Sequence, residues 1–210
     1  MCTLTTLLEL VLLLNFFVLG ASRLRTAVNL VAVQGMLLGA APLWLEHGPR
    51  VVLLSLGTMA VKGILIPRLL LYAMRDQTIG PEFRPAGGFI ASLLLGAVGT
   101  GASLWFGGTL PLHNGEHSQL IVPASLATTF AGFVMLFTRV KTISQSLGYL
   151  VLENGVFIFG LLLIEAVPAM VEIGVLLDLI VAVFVMGIII QHINRELDPL
   201  EVQHLSSLKE

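Results

Sequence analysis

Residues 148–163, GYLVLENGVFIFGLLL, have the composition of the interior of a membrane-spanning helix, yet they include Glu153 and Asn154. A charged side chain at the centre of a bilayer costs roughly 2.5–3.5 kcal/mol on insertion scales. A carboxylate at that depth therefore needs a partner or a function. Glu153 is the first candidate for a functional site, and the stretch around it sets the fold class.

The whole chain has the composition of an integral membrane protein. Of its 210 residues, 56% are hydrophobic and 11% are charged, whereas soluble domains contain about 25% charged residues. The one cysteine, Cys2, excludes an internal disulfide and a thiolate metal or iron–sulfur site. The chain has no basic cluster for nucleic acid and no glycine-rich phosphate loop. We therefore predict no cofactor and no nucleic-acid partner, with the lipid bilayer as the surroundings.

Apolar runs about as long as a helix that crosses the bilayer predict an all-α membrane protein with about seven transmembrane helices. Turn-forming stretches such as EHGPR and EAVP separate them. We interpret the first run as an uncleaved helix rather than a signal peptide, because Arg23 and Arg25 follow it instead of preceding it. The predicted spans are Leu4–Ala21, Ala27–Leu45, Val51–Ala73, Gly87–Phe106, Ile121–Thr138, Gln145–Ile164 and Val167–Gln191.

The basic residues predict the orientation of these spans. Of the basic residues in the predicted loops or near the ends of the spans, all but Arg50 fall on one side of the membrane. The positive-inside rule then places the N-terminus outside and the C-terminus in the cytoplasm. The residues on the cytoplasmic side are Arg23, Arg25, Arg68, Arg75, Arg84, Arg139, Lys141, Arg195 and Lys209.

Residues 1–210 are predicted to form a single membrane domain with a parallel repeat of three helices. SRLRT and TRVKT are similar basic loops, and each is followed by a helix with a polar centre and then by one with an internal charge. The units are 1–75 and 120–192. The uncharged helix 87–106, rich in small residues, links them, and 193–210 is a cytoplasmic tail. Parallel internal repeats occur in membrane transport folds.

Four ionisable residues lie well inside the predicted spans: Lys62, Glu153, Glu172 and Asp178. Counted from the helix ends, Lys62, Glu153 and Asp178 share the depth of the bilayer centre, and Glu172 lies nearer the outside at about 1.5 Å rise per residue. Groups that exchange protons at this depth are what a proton relay requires. We interpret all four as proton-path candidates.

A second interpretation is structural. Lys62 could form a buried ion pair with Glu153 or Asp178 that locks the helices together, although such pairs seldom repay their desolvation cost. One lysine also cannot neutralise three acids. Gln34, Asn154 and His192 are predicted to support the path by bonding water or neighbouring helices.

One motif resembles a metal site. HNGEH, residues 113–117, matches a zinc-protease string, but Asn-Gly at its centre favours a turn over the rigid helix that such a site needs. We predict no metal site there.

The stretches GYLVLENG, VEIGVLLDLIVAVFVM and LEVQHLSSLKE resemble the hydrogenase-4 component E family over most of the chain. The last three helices also resemble the K subunit of respiratory complex I. In that comparison Arg139 and Lys141 match a basic loop and Glu153 matches a glutamate of the second helix. Asp178, by depth, or Glu172, by residue type, matches a glutamate of the third.

The resemblance implies a non-catalytic membrane subunit of a nickel–iron hydrogenase or formate hydrogenlyase complex, without a redox centre of its own. It would lie in the bacterial or archaeal cytoplasmic membrane beside antiporter-like and peripheral subunits. Its polar residues would contribute to proton or sodium translocation coupled to electron transfer. The alternatives are a scaffold that only anchors such a complex and an independent small transporter.

Overall fold

The computed structural model describes residues 2–45, 48–74, 85, 87–110, 118–140 and 142–163, and every regular element in these ranges is helical. The predicted seventh span, with Glu172, Asp178 and His192, lies outside them, as do 111–117 and the tail. The helices are α1 (Cys2–Gly20), α2 (Leu24–Ala40), α3 (Pro42–Leu45), α4 (Pro49–Ala60), α5 (Ile66–Ala73), α6 (Phe89–Thr109), α7 (Ser118–Thr138) and α8 (Thr142–Gly160).

The first six predicted spans coincide with helical stretches. Among the described residues, four stretches are long and apolar enough to cross a membrane: Leu24–Leu45, Pro49–Tyr72, Phe89–Thr109 and Leu120–Thr138. The prediction of an all-helical membrane protein is therefore confirmed for the described residues. The count of seven spans, their orientation and the three-helix repeat stay predictions.

A π-helical segment, Val61–Leu65, joins α4 to α5 and contains Lys62. Pro67 has no amide hydrogen for the carbonyl of Gly63, and its ring crowds that carbonyl. The amide of Ile66 instead donates to the carbonyl of Val61, five residues back. Such wide turns are frequent at functional sites. The sequence analysis treated this span as one regular helix and missed the segment.

Small residues allow the helices to approach closely. A Cβ on Gly132 would meet the backbone of Leu152, and one on Gly155 would meet Thr129, so α7 and α8 touch along their backbones. The buried face of α6 consists of serine and glycine, as its composition predicts. On α2, Gly35 lies against Lys62. These contacts fix the helices that carry the polar residues.

The buried apolar residues form two separate cores. The first lies where α1, α5 and α7 end and α2 and α8 begin, and it includes Leu19, Val28, Leu70, Met135 and Leu147. The second lies towards the other ends of α1, α2, α7 and α8, and it includes Leu8, Leu38, Ala124 and Ile158. On each of these four helices, at least one buried residue between the two cores is polar.

Candidate functional site

Six buried polar side chains form a layer between the two apolar cores. We call this set the polar layer: Asn15, Gln34, Lys62, Thr128, Glu153 and Asn154, which are between 0% and 6% exposed. They come from α1, α2, α7, α8 and the π-helical segment. Because a buried polar group is costly unless it is bonded, the contacts inside the layer decide what it can do.

The charged cluster of this layer consists of Lys62, Glu153 and Asn154. Lys62 Nζ lies 3.1 Å from Glu153 Oε1 and donates a hydrogen bond to Asn154 Oδ1 at 3.2 Å. The ammonium group also lies 4.9 Å from the centre of the Phe157 ring, a favourable cation–π distance. A cation is thus held by a carboxylate, an amide oxygen and an aromatic face, all from α8.

Local structure explains this meeting. Glu153 and Asn154 are adjacent on α8, and Phe157 lies one turn further along the same helix. Gly35 of α2 lets the backbone of the π-helical segment approach, since a Cβ there would lie 2.8 Å from Lys62 Cβ. A larger residue at position 35 would push Lys62 away from α2.

A cavity of about 10 Å³ adjoins the charged cluster, and all three of its residues line it. This is about the smallest volume that holds one water molecule. The remaining lining residues are apolar and include Val31 of α2, Ile66 of α5 and Leu150 of α8. The Lys62–Glu153 pair therefore lies beside a small cavity whose wall is polar at one end.

The amide cluster consists of Asn15, Gln34 and Thr128. Asn15 Nδ2 donates to Thr128 Oγ1 at 2.9 Å, and Gln34 Nε2 donates to Asn15 Oδ1 at 2.9 Å. The chain of bonds joins α2, α1 and α7. Gln34 Oε1 is buried and has no hydrogen-bond partner among the described residues. None of these three side chains titrates in the physiological range.

The structure brings together some of the predicted residues. Lys62, Glu153 and Asn154 meet, so the pair that the structural interpretation allowed is present. Gln34 lies in the same layer but bonds to Asn15. Glu172, Asp178 and His192 lie outside the described residues, and their roles stay predictions.

Sequence reasoning missed Asn15 and Thr128. Each is a lone neutral polar residue in an apolar run, a pattern that is common in membrane helices and carries little signal. The one sequence signal that could have indicated the amide cluster is Asn15 within the apolar run LLLNFF.

Arg139, predicted to lie in a basic loop, is buried and 1% exposed. Its Nη2 donates to the carbonyl of Leu19 at 2.9 Å, and its Cζ lies 5.9 Å from the ring centre of Phe89. An isolated β-bridge pairs it with Pro85. Arg139 therefore connects the end of α1 to Pro85 and to the beginning of α6.

Burial lowers the pKa of Arg139 from its usual value to about 10, so the side chain is charged at neutral pH. Between these two values the unfolded chain binds the proton more tightly. Its contribution to stability is therefore constant below about pH 10 and rises above it.

Comparison with known proteins then places the chain. It is 30% identical over 194 residues to an uncharacterized protein of Mycobacterium tuberculosis, covering 89% of this chain and 87% of that protein. It is 29% identical over 208 residues to hydrogenase-4 component E of Escherichia coli and of Shigella flexneri, covering 95% of this chain and 94% of each relative. The chain is thus a homologue of hydrogenase-4 component E over nearly its whole length.

The resemblance seen in the sequence over most of the chain is thereby confirmed, and it covers 95% of the chain. No protein-family model matches the chain. No solved structure matches it either. The residues of the polar layer come from both halves of the length that aligns with hydrogenase-4 component E.

Proposed function

We propose that this protein is a membrane subunit of a hydrogenase complex, and that its charged cluster takes part in moving protons, or sodium ions, when electrons flow. The similarity to hydrogenase-4 component E supports the first part. The buried Lys62–Glu153 pair between two apolar cores supports the second. The protein would sit in the cytoplasmic membrane, as in a formate hydrogenlyase complex, beside antiporter-like and peripheral nickel–iron subunits.

The observation that carries the proposal is the 3.1 Å separation of Lys62 Nζ and Glu153 Oε1. At this distance a proton can pass from the ammonium group to the carboxylate in one step. Asn154 and Phe157 hold the ammonium group in place during that exchange.

In this proposal the chain is a non-catalytic subunit. Electron transfer occurs on other subunits, and the charged cluster is one step of a path through the membrane arm. Asp178 and Glu172 remain candidates for the next acidic step. Gln34 and His192 remain candidates for supporting groups.

A scaffold is the second candidate function. It is favoured by the same ion pair, because Lys62 has two close polar partners and a ring above it. Such a pair could fix α8 against the π-helical segment without moving any proton. The backbone contact of α7 with α8 also suits a rigid anchor.

The Glu153→Gln change in the complete complex tests the relay. It keeps the shape of the side chain but removes the group that accepts the proton. We expect a nickel–iron large subunit still to co-purify with the chain in mild detergent. Proton movement per hydrogen formed, measured in inverted membrane vesicles, should fall sharply.

Glu9→Gln is the matched control, because Glu9 is an exposed carboxylate on α1. It should leave proton movement unchanged. Unaltered proton movement in an assembled Glu153→Gln complex would contradict the relay and favour the scaffold.

A further inference from the structure

The cavity beside the charged cluster extends in one direction only. Three helices line it, and each contributes residues on the same side of the cluster. On α2 these precede Gly35, on α5 they follow Lys62, and on α8 they precede Glu153. The residues are Val28, Val31, Ile66, Leu70, Leu147 and Leu150.

All six residues belong to the first apolar core. This side is therefore the end of the bundle at which α2 and α8 begin and α5 ends. We call it the Arg25 end, because exposed Arg25 stands in the first turn of α2. The opposite end, where α4 begins beside exposed Arg50, is the Arg50 end.

Towards the Arg50 end the cluster is covered. Phe157 follows Glu153 by one turn of α8, and its ring lies over Lys62 Nζ at 4.9 Å. The ring therefore covers the ammonium group on that side. The space next to the cluster is therefore asymmetric.

We propose that the cavity holds one water molecule, bound by the polar groups of Lys62, Glu153 and Asn154, and that water exchanges with it from the Arg25 end. The volume of about 10 Å³ suits a single water molecule, and three polar side chains meet the two to four partners that a buried water needs. This inference deepens the proposed function by naming the side from which the pair exchanges protons.

Leu70 and Leu147 narrow the route. They are 1% and 0% exposed, and both line the cavity towards the Arg25 end. Exchange requires brief movement of these two side chains, in the manner of a hydrophobic constriction that wets and dries. A slow chemical probe detects such brief openings because it accumulates product over minutes.

The test uses cysteine substitutions in the full chain in native membranes. Cys2 is the only cysteine, so Cys2→Ser gives a background without reactive thiols. Val31→Cys places a thiol in the cavity wall. Val33→Cys is its matched control on the same helix, where the side chain is 47% exposed on the apolar surface.

Silver ion is the probe, because it is close to water in size and binds thiols. Thiols that silver has reached are lost from later maleimide labelling after denaturation. Arg25→Cys and Arg50→Cys show which face of intact cells or inverted vesicles each treatment reaches. Leu150→Cys, from the wall on α8, is a second cavity variant should Val31→Cys reduce the amount of protein in the membrane.

We expect silver to react with Val31→Cys about tenfold faster than with Val33→Cys, because reaction needs water and a thiolate. It should do so from the face at which Arg25→Cys reacts, and Leu150→Cys should behave in the same way. Equal rates for the two valine positions would overturn the proposal. Reaction from the face of Arg50→Cys would also overturn it.

This readout is independent of pumping. A reactive Val31→Cys beside normal pumping in Glu153→Gln would keep the hydrated cavity and reject the relay. An unreactive Val31→Cys beside lost pumping in Glu153→Gln would keep the relay and reject this entry route.

Discussion

The charged cluster and the amide cluster lie in the same layer but differ in what they can do. Adjacent residues of α2 touch both, since Gln34 bonds to Asn15 and Gly35 packs on Lys62. The amide cluster joins three helices through neutral bonds, whereas the charged cluster holds an ion pair beside a cavity. The difference shows that depth alone does not make a relay site. Titratable groups next to room for water are also needed.

Breaking the ion pair gives the largest expected effect. Lys62→Met leaves the Glu153 carboxylate buried without its cation, which costs about 3–5 kcal/mol. The double change Lys62→Met with Glu153→Gln removes both charges and should recover most of that loss. Thermal unfolding of the purified chain in detergent, compared across the single and double variants, measures the recovery.

If the double variant were as unstable as Lys62→Met, the pair would not be the source of the loss. The charged cluster would then contribute to stability through packing alone.

The contact of α7 with α8 positions members of both clusters, so a change there has an intermediate effect. Gly155→Ala would press a methyl group into Thr129, next to Thr128 of the amide cluster and two residues from Glu153. Overpacking of this kind costs about 1–3 kcal/mol. The same thermal measurement should show a clear decrease.

Gly160→Ala on the same helix is its control, because nothing lies within 4 Å of a Cβ at that position. We expect no decrease there. Equal behaviour of the two glycine variants would show that the close approach of α7 and α8 is not needed for stability.

The fold class was predictable because hydrocarbon imposes a simple rule on sequence. Long apolar runs gave the helices, and charges inside those runs identified Lys62 and Glu153. The sequence left open whether Lys62 pairs with Glu153 or with Asp178, because it gives the depth of a side chain but not the direction in which it points. The contact depends on Gly35 and on the π-helical segment.

The amide cluster was largely out of reach of sequence reasoning. Asn15 and Thr128 are 113 positions apart and meet only through the packing of α1 on α7. Neutral polar residues of this kind are common in membrane helices and weakly patterned. The burial of Arg139 was likewise unexpected, because a basic residue after a predicted span is usually solvated.

The smallest expected effect comes from the amide cluster. Thr128→Val keeps the shape of the side chain and removes the acceptor of the Asn15 bond. Hydrogen bonds between membrane helices contribute about 0.6 kcal/mol on average. Unfolding temperature should fall slightly, and proton movement per hydrogen formed should not change.

Thr138→Val is the comparison here, because the Thr138 hydroxyl donates at 2.6 Å to the carbonyl of Val134 in its own helix. A large loss of proton movement in Thr128→Val alone would mean that the amide cluster, too, is part of the path.

The most direct test of the central claim is proton movement in the complex that carries both Lys62→Met and Glu153→Gln. This variant leaves neither Lys62 nor Glu153 buried as a charge without its partner, so its assembly should be close to that of the original protein. Our account predicts an assembled complex that forms hydrogen but moves few or no protons in inverted vesicles. Full proton movement by that assembled complex would contradict the account and leave the chain as a scaffold.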